Sequence, residues 1–312
     1  MAGETKRIVI TGGSGFIGRA LSRALLARGY QVVIVSRGPS RAPAGSPDGP
    51  VPAFAHWDAA SARGWGHLAG GAYGLVNLAG EDVARGRWTA QRKRLILESR
   101  LHAGQAMVEA VRQAEVKPRV FIQSSGVGYY DATEQAPIDE TAPPGRGFLS
   151  GLAVRWEAST SAVEAMGVRR AIIRTGLVLG KNGGLLPRML LPFKLFVGGS
   201  LGSGQQGFPW VHLEDAVKAI IFLLEHPEAR GPFNLTAPES VSNEQFSQAL
   251  AKALKRPCGM AVPAFALRLA LGREMADELL LTGCRPFPKR LLELGYMFEH
   301  PKLAEALRLL LA

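Results

Sequence analysis

Gly12, Gly15 and Gly18 are the first residues whose spacing speaks of chemistry. They close the run Ile8-Val9-Ile10-Thr11-Gly12-Gly13-Ser14-Gly15-Phe16-Ile17-Gly18, where an apolar strand meets a GxxGxxG turn and an apolar-periodic helix follows at once. Gly12 permits a tight turn, Gly15 lets backbone approach a ligand, and Gly18 lets the helix pack closely on the strand. A helix start offers free N–H groups and the positive end of the helix dipole, so a pyrophosphate fits there. With a strand before, a helix after and another strand beyond, residues Thr11 to Gly18 are expected to hold a dinucleotide. Which dinucleotide is read about 20 residues later, where an Asp or Glu would grip a ribose 2′-hydroxyl. That strand ends Val35-Ser36-Arg37, and no acid follows before Asp48. Ser36 and Arg37 can both donate to a 2′-phosphate, which a guanidinium matches as a fork, and Arg41 is a further donor. NADP(H) is expected over NAD(H).

The elements that must place these residues follow an alternating pattern. Apolar strand runs are expected at residues 7–11, 31–36, 54–57, 74–78, 120–123 and 170–174, with helices at 16–28, 89–114 and 151–165. Several strands are continuous Val/Ile/Leu runs, as in strands covered on both faces. Between Gly38 and Ala53 lie five prolines and three glycines, so that crossover is expected to be a loop. Beyond Gly176 the texture shifts: residues 180–207 are rich in Gly and Leu, a strand is expected at 210–213 and another at 233–236. Helices are expected at 213–225 and 243–254, then a mainly helical tail cut by prolines at 286, 288 and 301. The fold class is therefore α/β: a Rossmann-type doubly wound parallel sheet at 1–176, then a smaller, mainly helical substrate region at 177–312. Strands 210–213 and 233–236 are candidates to return to the sheet.

Composition closes off other classes. At 312 residues and 47% hydrophobic, the chain is no disordered tail. Two cysteines, Cys258 and Cys284, and six scattered histidines without HExxH or CxxC give no disulfide framework and no metal cluster. No apolar run approaches the ~20 residues that span a bilayer. The start, MAGETKR, runs straight into a strand and leaves no room for a signal peptide, so a cytoplasmic, globular protein is expected. The net charge of +11 attracts anions in general. Between Arg85 and Arg100 six basic residues face one acid, Glu98, but only Trp88 is interleaved, so nucleic acid is not an expected partner. A small-molecule substrate, no membrane, and a monomer or homodimer are expected.

The ordered blocks TGGSGFIG (11–18), VSR (35–37), Trp57-Asp58, NLAGE (77–81), SSGVGYY (124–130), Trp156-Glu157, RTGLVLG (174–180) and GSGQQGFPWVHLED (202–215) resemble, nearly end to end, the extended branch of the short-chain dehydrogenase/reductase superfamily. The resemblance is closest to its subfamily of epimerase family proteins without an assigned substrate. It implies cofactor contacts at Leu78, Ala79, Gly80, Arg100, Ser124 and Val178 besides the glycine turn, Ser36 and Arg37. Asp58 is placed either at the adenine amino group or as a cap. The superfamily's chemistry rests on a Ser or Thr plus a Tyr-x-x-x-Lys pair, whose lysine lowers the tyrosine pKa for proton transfer. Here Ser125 falls at the serine position, but the Tyr and Lys slots fall on Leu149 and Ala153, and the chain contains no Tyr-x-x-x-Lys. Two readings follow: Tyr130 or Tyr129 supplies the proton, with Arg155 polarising an oxygen, or the protein is a redox-sensing NADP(H)-binding module with little chemistry. The resemblance also turns Trp210 and His212 toward the substrate crevice, Trp210 to stack on a ring and His212 either to donate to an oxygen or, the preferred reading, to serve as a satisfied structural histidine. Asp215 is expected as a helix-start acid.

Overall fold

The computed structural model describes residues 6–38, 49–131 and 137–312. Among the described residues the strands run in chain order: β1 (Arg7–Thr11), β2 (Gln31–Ser36), β3 (Ala53–His56), β4 (Gly74–Asn77), β5 (Val120–Gly126), β6 (Arg169–Thr175), β7 (Leu177–Gly180), β8 (Gly183–Gly184), β9 (Trp210–His212) and β10 (Gly231–Leu235). The larger helices are α1 (Phe16–Ala27), α2 (Ala90–Gln113) and α3 (Phe148–Ala158). A short α4 (Ala162–Ala165) follows, then α5 (Leu186–Lys194), α6 (Leu213–Glu225) and α7 (Asn243–Leu254). The tail carries α8 (Ala264–Leu271), α9 (Arg273–Ala276), α10 (Lys289–Glu293) and α11 (Leu303–Leu311).

Seven strands form one sheet in the order β3-β2-β1-β4-β5-β6-β10, and every neighbouring pair is parallel. The order reverses between β1 and β4, so the carboxyl ends of those two strands open a crevice at the switch point. Both faces are covered. On one, Ile8, Ile10, Ile122 and Ile173 pack against α1 and α6; on the other, Val9, Leu75 and Phe121 pack against α2 and the buried indoles of Trp57 and Trp65. Burial on both sides is why these strands read as unbroken aliphatic runs rather than alternating ones. A third core, around Leu179, Phe193, Phe208, Trp210, Phe246 and Leu307, joins α5, α7 and α11 to a small sheet β8-β7-β9.

The doubly wound parallel sheet and the helical C-terminal region are as expected, and three local differences have physical causes. The helix expected at 151–165 is two helices, α3 and α4. Between them Ser159, Thr160 and Ser161 turn their hydroxyls back onto the carbonyls of Trp156, Glu157 and Ala158, competing with the helix ladder. Helix α5 forms in the Gly/Leu-rich stretch because Pro187 sits in its first turn, where no N–H is needed, while Pro192 lies near its end. Of the strands considered for return to the main sheet, only the one near 233–236 does so, as β10 beside β6; Trp210–His212 pairs with β7 instead. With α6 packed on α1, the second half of the chain thus completes both the sheet and one of its faces. The described part of the proline-rich crossover rejoins the sheet at β3; Arg41 lies outside the described residues.

Candidate active site

The glycine turn is built as its spacing requires. Gly12 has φ +73°, and a Cβ there would stand 2.6 Å from the Leu78 carbonyl group, so the turn leans directly on the end of β4. At Gly18 a Cβ would meet the Gly12 oxygen at 2.4 Å, while at Gly13 it would run into the Ile34 side chain. Gly15 differs: it is exposed, and among the described residues a Cβ there would meet only the Gly12 oxygen, at 3.1 Å. It is the N-cap of α1, among the described residues no side chain caps that helix, and no acid sits in its first turn. Unclaimed N–H groups, open space and no competing carboxylate are what an anion requires. Ser14 lies exposed at the same place, its carbonyl accepting from Arg19 at 2.7 Å. The Phe16 ring rests where Cβ atoms at Gly180, Gly183 and Gly184 would stand, so glycines let the turn between β7 and β8 close over the start of α1. Ile17 packs on the first core.

Thr11 is corrected from ligand contact to scaffold. It is fully buried and its hydroxyl donates to Asn77 Oδ1 at 2.8 Å. Asn77 then donates to Gln123 at 3.0 Å, and Gln123 to the Ser124 carbonyl at 2.6 Å. This buried polar ladder crosses β1, β4 and β5 just below the crevice and fixes the ends that Leu78, Ala79 and Ser124 occupy. Asn77 Oδ1 also accepts from the Ala79 N–H at 3.3 Å. At the far end of β2, Ser36 is half-buried and accepts from the Gly38 N–H at 3.3 Å, and Arg37 is exposed. Asp58 takes the capping alternative. Its carboxylate accepts from the Ala60 and Ser61 N–H groups at 2.9 and 2.8 Å and from the Ser61 hydroxyl at 2.6 Å. Those bonds, the hydroxyl's first, hold it down at about 2. Val178 is buried in β7, beside Val211.

Arg100 is a buried charged group beside the end of β4. Its guanidinium stacks on Trp156, 4.7 Å from the ring centre, and donates to the carbonyls of Glu81 and Ile96 at 2.9 and 3.0 Å. Its Nε, although buried, has no partner among the described residues. Burial, opposed by Glu81 and Asp82, brings it down to about 10, so it stays cationic. Gly80 is exposed, and a Cβ there would strike this guanidinium at 2.9 Å. An open glycine over a buried, incompletely satisfied cation suits an electron-rich ligand.

The proposed proton donors are not free. Ser125 donates to Glu157 at 2.7 Å, and Glu157 also accepts from Arg174 Nε and Nη2 at 2.9 and 3.1 Å. Tyr130 is buried; its hydroxyl donates to Asn234 at 2.6 Å and accepts from Arg174 at 3.0 Å. Burial pushes its phenol up to about 12, beyond the reach of proton transfer near neutrality. Tyr129 lies half-buried with its ring flat against Arg174, whose guanidinium carbon is 3.4 Å from the ring centre. The two slots on α3 are hydrocarbon: Leu149 packs over Gly128, and Ala153 is buried. The start of α3 is already occupied, because Glu278 from the tail accepts from the Phe148 and Leu149 N–H groups, each at 2.8 Å. Arg155 is exposed. Glu157, Arg174, Asn77 and Glu278 are thus the polar groups that motif reading did not assign to the site.

Trp210 is corrected as well, and His212 takes its structural alternative. Trp210 is 1% exposed in the third core and its Nε1–H donates to the Glu239 carbonyl, so no substrate ring reaches it. His212 caps α6, its Nδ1 accepting from the Glu214 N–H at 3.2 Å. Burial first, then the neighbouring His300, depresses it to about 4. Asp215 sits in the first turn of α6 as expected, and accepts from the Glu299 and His300 N–H groups at 2.8 and 2.9 Å, pinning the tail. His212, Glu214 and His300 come within 4.8 Å of one another, a grouping that sequence spacing did not suggest. The cap consumes one His212 nitrogen and Lys218 bonds Glu214 at 2.7 Å, so the cluster works as a tail clamp.

The basic stretch after β4 is largely spent on contacts within the chain. Arg92 pairs with Glu81, Lys93 with Glu274 and Arg94 with Glu98, while Arg87 donates to the carbonyls of Leu269 and Ala270.

Set beside known proteins, the sequence model of the NAD dependent epimerase/dehydratase family matches residues 8–236. This chain belongs to that family. A second model, a domain of unknown function, matches residues 262–310, the tail that carries Glu278 and His300. An epimerase family protein of Mycobacterium bovis is 38% identical over 96% of this chain and 96% of its own length. The human epimerase family protein SDR39U1 is 35% identical over 98% of this chain and 100% of its own. A crystal structure of the human protein (isoform 2) with NADPH superposes with a TM-score of 0.86 at 34% identity, covering 98% of this chain and 99% of that one. The UDP-glucose 4-epimerase of Thermus thermophilus shares the fold of this family member at 20% identity, with a TM-score of 0.77 over 98% of this chain and 97% of its own.

Proposed function

We propose that this family member is an NADP(H)-binding oxidoreductase or epimerase of the extended short-chain type, acting on a small carbonyl, carbinol or nucleotide-sugar-like molecule. The observation that carries the reading is the uncapped, acid-free start of α1 behind an open Gly15. The NADPH in the structure of the human relative supports it. The N–H groups after Gly12 would receive the pyrophosphate and Ser36 and Arg37 the adenosine phosphate. Gly80 and Arg100 would border the nicotinamide half. A bound nicotinamide supplies hydride transfer, the hard part of the chemistry.

The chain's own residues narrow the substrate. Reducing a saturated ketone leaves an alkoxide nearly as basic as hydroxide, whose parent acid has a pKa of about 16. A conjugated acceptor such as a quinone leaves a phenolate-like anion with a parent pKa of about 10. With Leu149 and Ala153 in the relay slots and the hydroxyls of Ser125 and Tyr130 committed, the second kind is favoured. The same commitment favours a second reading, a redox-sensing module with little turnover.

Calorimetric titration with NADPH and NADH tests the first. A charge-assisted bond is worth about 1.5–3 kcal/mol, so Arg37→Ala should weaken NADPH roughly 10–100-fold and NADH hardly at all. Equal losses refute the phosphate assignment, and heat from neither coenzyme refutes the whole reading. NADPH oxidation across aldehydes, ketones, quinones and sugar nucleotides then separates enzyme from sensor.

A further inference from the structure

Outside the crevice, the end of α5 and the loop beyond α7 present a surface that neither the core nor the proposed chemistry uses. At the end of α5, Leu191, Leu195, Phe196 and Val197 are 58–66% exposed, and Met260, beyond α7, is 93% exposed. These belong to one knuckle. The Gly259 N–H donates to the Gly198 carbonyl at 2.7 Å, and the Arg256 guanidinium lies 4.5 Å from the Phe196 ring centre. Phe196 holds φ +63°, a left-handed conformation that bulky L-residues seldom adopt, and it keeps the ring outside.

The two segments that build the knuckle carry charge of one sign, and Glu244, near Cys258, is an acid that reaches them from outside. Residues 185–202 and 249–262 contain no Asp or Glu. Lys194, Lys252, Lys255 and Arg256 are all exposed, and among the described residues none forms an ion pair. An apolar tip ringed by unpaired cations is complementary to a surface that is anionic outside and hydrocarbon within. Nucleic acid would want several stacking rings, and only Phe196 is offered. A second copy joined about a two-fold axis would set the four cations against their own images. No described helix is long and apolar enough to cross a membrane, so the contact is superficial.

We propose that the knuckle formed by Leu195, Phe196, Val197 and Met260 docks on an anionic lipid bilayer, its side chains entering the interface and Lys194, Lys252, Lys255 and Arg256 facing the headgroup phosphates. The inference is independent of the coenzyme reading. Co-sedimentation of the full chain with vesicles of phosphatidylcholine, with or without about 30% phosphatidylglycerol, tests it. Partition onto the anionic vesicles should exceed that onto the neutral ones at least tenfold and weaken as salt rises from about 0.1 to 0.5 M. The double variant Phe196→Ser/Val197→Ser should lose at least tenfold, as should Lys255→Glu/Arg256→Glu, each with an unchanged melting temperature. No partition onto anionic vesicles overturns the proposal. So does full retention by the serine variant, which would assign the binding to net charge alone, and so does self-association in gel filtration that the serine variant abolishes.

Discussion

Two alanines, three residues apart, separate what the glycine turn does for the fold from what it does for a ligand. At Gly18 the new Cβ would lie 2.4 Å from the Gly12 oxygen and 2.6 Å from the Gly13 Cα, all backbone with nowhere to go. Ordinary contact begins near 3.4 Å, so α1 must back away from β1 by about an ångström, an overpacking that costs roughly 1–3 kcal/mol. In a chain of this size that lowers the melting temperature by about 2–6 °C. At Gly15 the new methyl meets only one oxygen, at 3.1 Å, and the backbone sits at φ −74°, ψ 179°, where alanine is at ease. Gly15→Ala should therefore melt within about 1–2 °C of the parent, the lost flexibility of the unfolded chain offsetting a slightly poorer cap. Its methyl nevertheless projects where a pyrophosphate would approach, so NADPH affinity should fall at least tenfold. Differential scanning calorimetry and isothermal titration give the two numbers. A Gly15→Ala protein that binds NADPH like the parent would show that the uncapped start of α1 is not a phosphate site.

The tail clamp should make stability depend on pH between 7 and 5. His212 is held neutral, depressed from 6.5 to about 4, so the unfolded chain takes up a proton in that window and the native one does not. Stability should fall by about 1–2 kcal/mol as pH drops from 7 to 5, allowing for solvent screening. His212→Asn, which keeps a capping side chain, should flatten that slope in urea unfolding; an unchanged slope would place the proton elsewhere. In the network under β5, Arg174→Met strands the Glu157 carboxylate, whose side chain is 12% exposed beside an arginine at 4%. Breaking such a pair from one side should cost about 3–5 kcal/mol in urea unfolding, and a loss under about 1 kcal/mol would deny the network its structural role.

What the sequence made legible was whatever local pattern decides. The strands at 7–11 and 31–36 form at those bounds because their aliphatic runs are covered on both faces, and the helix at 89–114 starts where Thr89 caps it. The glycine turn was legible because strand, turn and helix are contiguous and each glycine answers a separate steric demand. The chemistry was not legible in the same way. A hydroxyl looks identical in sequence whether it is open or spent, and the partners that spend these lie far away: Asn234 is 104 residues from Tyr130, and Glu157 is 32 from Ser125. Trp210 reads as an aromatic beside a crevice until the third core, assembled from α5, α7 and α11, encloses it. The carboxylate at the start of α3 arrives 130 residues later, from the tail.

Those distant partners also explain how α3 stays ordered without a Tyr-Lys relay. A helix start that should meet a substrate or a catalytic side chain leaves N–H groups to be satisfied, and here Glu278 takes two of them. The segment that delivers Glu278 is tied to the first half by partly exposed contacts: Lys93 to Glu274, and Arg87 to the carbonyls of Leu269 and Ala270. Exposed ion pairs are worth about 0–1 kcal/mol each, whereas the Asp215 anchor farther along the tail is wholly buried. The tail is therefore pinned at residues 296–300 through Asp215, and at 269–278 through partly exposed ion pairs together with the buried Met275 and Ala276 and the Glu278 bonds to α3. That division keeps the groups proposed for the coenzyme, the glycine turn and Arg100, on the first half of the chain, and brings the wall facing α3 from the tail.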